Sequence, residues 1–77
     1  MLPGPDYKTL KKMYYEFKKN PPSSPFDRWI TEFKYTSNLV EFAKKANLEE
    51  DVLEFKVARQ EAIDELGKMG LKYKPHG

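Results

Sequence analysis

The side chains able to do covalent or acid–base chemistry are few in these 77 residues, and their spacing suits none of the usual reactions. There is no cysteine and one histidine, His76. Nucleophilic catalysis needs a Ser, Thr or Cys held beside a base, and His76 stands one residue from the last. Without cysteine, thiol and zinc-cluster chemistry drop out. Glu49, Glu50, Asp51 and Glu54 could form a metal or paired-carboxylate site, but acids in a first helical turn are what the helix dipole favours in any case. The glycines, at 4, 67, 70 and 77, fit neither the Walker phosphate loop nor the dinucleotide fingerprint. The expectation is a non-enzymatic protein with no catalytic residue, no metal and no cofactor.

Charge is then the chemistry that remains. Fourteen Lys/Arg against twelve Asp/Glu give a net +2, but the two signs are segregated. Residues 1–20 carry five lysines and two acids, a net +3, whereas residues 48–70 carry seven acids and three bases, a net −4. On a helix, Lys8, Lys12, Tyr15 and Lys19 form one stripe, and Glu50, Glu54, Glu61 and Glu65 another. Within that second helix only Asp64–Lys68 has the four-residue spacing of an ion pair. Each stripe is read either as a solvated face, drawn to the other across the fold, or as a docking surface.

The elements that must position these stripes are all helical. Asp6 caps a helix through about Lys19, with Leu10, Met13 and Phe17 on one face, and Asn20-Pro21-Pro22 ends it. Ser24-Pro25-Phe26-Asp27 supplies a cap, a proline at the first helical position and a first-turn acid. Phe26, Trp29, Ile30 and Phe33 follow as an aromatic core face. Leu39, Phe42, Ala43 and Ala46 form a second face about a third of a turn away, which predicts a break at Thr36-Ser37-Asn38, with Asn38 and Glu41 as a capping box. Another box, Asn47 with Glu50, opens the longest helix, which runs to Met69 and stops at Gly70. Its apolar stripe is Leu48, Val52, Phe55, Arg59, Ala62, Leu66 and Met69, and Met13 and Met69 are read as gap-fillers.

The predicted fold is all-α: a compact bundle of three or four helices with a long C-terminal helix, residues 1–70 forming one domain and 71–77 a flexible basic tail. A mean hydropathy of −0.82 hints at disorder, but 14% aromatic residues and regular apolar spacing point to a core. The longest apolar run, Met13-Tyr14-Tyr15, is far below the ~20 residues of a membrane span, and no secretory leader is recognisable. A cytoplasmic, intracellular protein without membrane contact is therefore expected.

Leu39 to Leu48 resembles the first helix and turn of a helix-turn-helix, with Ala43 at the packing position, Asn47 where such motifs carry glycine and Leu53 as the following core position. The resemblance covers about twenty residues. It departs from the motif where DNA would be read, since the second helix begins Glu49-Glu50-Asp51 and continues to Glu54, four acids towards a polyanion; it implies a scaffold rather than a reader.

Three functions follow, in a size class shared with adaptors, inhibitors and virus-encoded accessory proteins. The favoured one is a protein-binding module using Glu50, Leu53, Glu54, Val57, Glu61 and Glu65 of the long helix, where Leu53 and Val57 stand opposite the apolar stripe beside the acids; the other reading is that another helix of the same chain covers these two. The alternative is nucleic-acid binding by Lys8, Lys11, Lys12, Tyr15, Lys18 and Lys19. Lysine without arginine suits phosphate attraction rather than base reading. The third is a homodimer or larger helical scaffold with Arg59 as a polar residue in the seam; otherwise Arg59 snorkels or pairs with a carboxylate at the bundle edge.

Overall fold

The computed structural model describes residues 6–70; the expected tail at 71–77, with His76, lies outside the described residues. Among the described residues there are three helices: α1 (Tyr7–Lys19), α2 (Pro25–Lys45) and α3 (Glu49–Lys68). The first two start as the sequence dictates. The Asp6 carboxylate accepts from the Thr9 N–H at 2.9 Å, and the Ser24 hydroxyl accepts from the Asp27 N–H at 3.4 Å with Pro25 at the first helical position.

α2 shows no break at Thr36-Ser37-Asn38 and no capping by Asn38; it is a single helix of 21 residues, one longer than α3. Its buried residues are Glu32, Phe33, Thr36, Leu39, Val40 and Ala43. They form one unbroken line at helical spacing once a glutamate and a threonine are admitted to it. The Thr36 hydroxyl donates to the Glu32 carbonyl at 2.8 Å, with the Phe33 carbonyl at 3.2 Å, so a buried polar group is satisfied by the helix itself. Small at the axis, Thr36 joins the two apolar faces.

α3 returns antiparallel along α2. Phe33 packs with Ala62 and Leu66, flanked by Trp29, Ile30 and Ile63, while Leu39 and Val40 pack with Phe55. The turn between them differs from the expected capping box. Asn47 takes a left-handed φ of 59°; its N–H donates to the Lys44 carbonyl and the Leu48 N–H to the Ala43 carbonyl. This is the Schellman closure of α2, so Asn47 ends one helix instead of opening the next. α3 starts at Leu48 with no side-chain cap, its first turn carrying Glu49, Glu50 and Asp51 instead. Gly70, at φ 81°, ends α3 as expected. Asn47 thus adopts the backbone suited to the glycine of a helix-turn-helix, but Leu53, the core residue in that motif, is 65% exposed, and the antiparallel seam gives the scaffold a hairpin form.

α1 packs over the half of the seam nearer the α2–α3 turn. Its inner line is Tyr7, Leu10, Tyr14 and Phe17, not Leu10, Met13 and Phe17: Tyr14 is 1% exposed and Met13 44%. Phe26 and Met69 are exposed as well. They lie at helix ends beyond the seam, and neither serves the core role expected of it.

Helical continuity at residues 36–38 has a direct consequence. Asn38 is exposed, so Asn38→Pro changes the backbone and little else. An interior proline costs ~3 kcal/mol or more, and the melting temperature should fall by over ~10 °C in a thermal scan. A fall of only a degree or two would restore the break.

Candidate functional site

Two exposed surfaces were expected from the charges, and the fold treats them differently. On α1, the side towards α3 is already engaged. The Tyr7 hydroxyl donates to Asp51 at 2.7 Å and Lys11 meets the same carboxylate at 3.3 Å. The Tyr15 hydroxyl donates to Glu54 at 2.9 Å. Lys18 lies 5.4 Å from the centre of the Tyr14 ring. The opposite charges of the two helices therefore meet across the fold. Only Lys8, Lys12 and Lys19 keep the outward stripe on α1; Lys11, Tyr15 and Lys18 turn towards the bundle.

Beneath this polar edge lies a buried pair that the sequence did not announce. Glu32 is 3% exposed, and one carboxylate oxygen accepts from the Tyr14 hydroxyl at 3.3 Å. Burial pushes the Glu32 carboxyl above its ordinary value, with Glu61 adding to the rise and Lys18, Tyr14 and Arg28 opposing it. Burial and the Glu32 charge raise the Tyr14 hydroxyl well above the usual tyrosine range. Tyr7 is raised by burial and Asp51, and Tyr15 is pushed up to about 12 by burial and Glu54. All three tyrosines stay protonated donors at neutral pH. Conversely, the Tyr7 hydrogen bond and Lys11 hold Asp51 below the usual carboxylate range. The signal in sequence was Tyr14 at helical spacing from Leu10 and Phe17, masked by Met13.

Arg59 sits at the seam edge. Its Nε donates to the Ser37 hydroxyl at 3.0 Å and its guanidinium lies 5.2 Å from the Phe33 ring centre. It thus bridges α2 and α3 of its own chain, through a hydroxyl and a ring where the edge reading offered a carboxylate.

The outer face of α3 presents the remaining site residues. Leu53 and Val57, one turn apart, are 65% and 70% exposed. Glu50, Glu54 and Glu61 are exposed too, and at ~100° per residue they run along one flank of the two apolar side chains, the flank facing α1. Glu65 is drawn aside: it accepts from Lys68 at 3.1 Å, three residues on. Asp64, expected to pair with Lys68, instead accepts from Gln60 at 3.0 Å. At the α2–α3 turn the apolar strip widens into an open hollow of about 340 Å³ lined by Lys44, Asn47, Leu48, Glu49, Val52 and Leu53.

Among the described residues, no group of three or more His, Asp or Glu side chains is placed to hold a metal ion, and no helix is long and apolar enough to cross a membrane. No protein-family model, curated protein or solved structure matches the chain.

The pH dependence of folding should carry the mark of Glu32. A carboxyl raised in the folded state adds stability that is complete below its unfolded value, near 4.5, and is lost as pH rises through the folded one. Asp51 acts oppositely: its contribution is present above its unfolded value, near 3.8, and fades as pH falls through the lowered one. Glu32→Gln keeps the shape and removes the charge. The melting temperature of the unaltered protein relative to Glu32→Gln should rise as pH falls from 7 towards 4.5; a constant difference across that range would refute the buried carboxylate.

Proposed function

We propose that the protein is a small non-enzymatic binding module that engages another protein through the outer face of α3. One observation carries this reading: Leu53 and Val57 stand exposed in the middle of that face, away from the core that Phe55, Ala62 and Leu66 complete on the other side. Full burial of a Leu or Val side chain contributes ~1.5–3 kcal/mol, and a pair of adjacent apolar anchors ringed by charge is how helix faces present themselves to partners. Adaptor and inhibitor roles both fit a module of this kind.

Nucleic-acid binding through α1 is the weaker reading. Of its six proposed contacts, Lys11, Lys18 and Tyr15 are spent on Asp51, the Tyr14 ring and Glu54, and the acids beside them repel phosphates. The scaffold reading loses its special residue, because Arg59 is occupied within the chain.

The test is affinity capture from the source cell with nuclease treatment as control. Leu53→Asp and Val57→Asp should each abolish retention of the partner and leave the far-UV circular dichroism unchanged, since both positions are exposed. Lys8, Lys12 and Lys19 changed together to Glu should leave retention intact. Capture that nuclease abolishes, or that survives both α3 substitutions, would overturn the proposal.

A further inference from the structure

Resting on that reading of α3, we infer that the partner segment is a basic amphipathic helix whose leading apolar side chain enters the hollow at the α2–α3 turn. Three observations define it. The apolar strip begins in the hollow, on Leu48, Val52 and Leu53, and continues to Val57 one turn on. Nine residues of α3 span ~13 Å, long enough for anchors at positions i, i+3 or i+4, and i+7 of a second helix laid along it. An extended peptide has less to hold, because the backbone groups along α3 are paired within the helix and offer no strand edge.

Charge sets the sign of that helix. Glu50 and Glu61, with Glu54 between them shared with Tyr15, border the strip on the α1 side, while the opposite border mixes Glu49 with Lys44 and Lys56. A partner with Lys or Arg along one flank of its apolar face meets the acidic border, and the mixed border discourages the reversed orientation. A second copy of this chain fits poorly. Antiparallel pairing of two α3 faces, Leu53 against Val57, sets the acidic border of one copy along that of the other, with Glu50 facing Glu61, and parallel pairing sets it against a border that mixes Glu49 with Lys56, so neither matches the acids as fully as a lysine flank. The lysine stripe of α1, Lys8, Lys12 and Lys19, offers opposite charge but no apolar anchor in line with it.

The probe is a synthetic 18-residue peptide of Leu, Ala and Lys with one leucine face and lysines along one flank, beside twins carrying Gln or Glu in place of Lys. Binding is read by fluorescence anisotropy with the full chain. The Lys peptide should bind at least about tenfold more tightly than either twin, and lose at least about tenfold in affinity with Leu53→Asp, with the pair Glu50→Lys and Glu61→Lys, and between 50 and 500 mM salt. If the Gln or Glu twin binds as tightly and Leu53→Asp still abolishes it, the basic partner is overturned while docking on α3 stands. If no peptide binds and Leu53→Asp changes nothing, docking on this face falls as well. Self-association that disappears with Leu53→Asp in sedimentation would overturn the inference in favour of a second copy.

Discussion

The hydrogen bond between Tyr14 and Glu32 is the constraint around which the fold is arranged. Both groups are buried, they belong to different helices, and neither is tolerable in an apolar interior alone, because a buried unpaired carboxylate costs far more than a neutral group. Together they fix the register of α1 on α2. The Tyr14 ring extends that restraint to α3: it meets Phe55 edge-on at 5.8 Å between centres and also contacts Phe17 and Tyr35. At the rim the same chemistry recurs more weakly, with Tyr7 on Asp51 and Tyr15 on Glu54. Three tyrosines of α1 thus donate to three carboxylates of its neighbours, and exposure decreases from the rim pairs to the central one.

This arrangement decides which charges are left for function. α1 spends its inner lysines and tyrosines on the bundle, and in doing so it takes up Asp51 and Glu54 on its own side of α3. Among the described residues, the far side of α3 leaves Leu53 and Val57 largely exposed. Its apolar pair, Leu53 and Val57, and Glu50 beside them are therefore not required by the fold, whereas Phe55, Ala62 and Leu66, interleaved with them, are. Core and outer face alternate along one helix, so a substitution on one can be made without disturbing the other.

What the sequence revealed depended on whether polar residues lay inside the core. Helix starts at Asp6 and Ser24 and the stop at Gly70 were legible, because caps and turn residues act locally. The stripe Phe55, Arg59, Ala62 and Leu66 was legible from its spacing, and so was the position of Leu53 and Val57 on the opposite side; that no other described helix covers them was not, because it depends on where α1 packs. The failures share one cause. Reading only apolar residues as core, the sequence suggested Met13 in place of Tyr14 on α1, and an interruption at residues 36–38 in place of Glu32 and Thr36 on α2. Tyr14 and Glu32 are buried because of each other, and a partner eighteen residues away cannot be seen in local periodicity. Asn47 failed differently: a residue fit to cap the next helix served to close the previous one, a choice made by backbone φ and not by residue type.

The central claim is that the outer face of α3 stays bare in the isolated protein while its inner face is sealed by α1 and α2. The most direct measurement is solvent paramagnetic relaxation of methyl signals by NMR, using an inert gadolinium chelate. The account predicts strong relaxation of the Leu53 and Val57 methyls and protection of those of Leu39 and Leu66, which are fully buried. Equal protection of all four residues would contradict it, since something would then cover the face on which the function is placed.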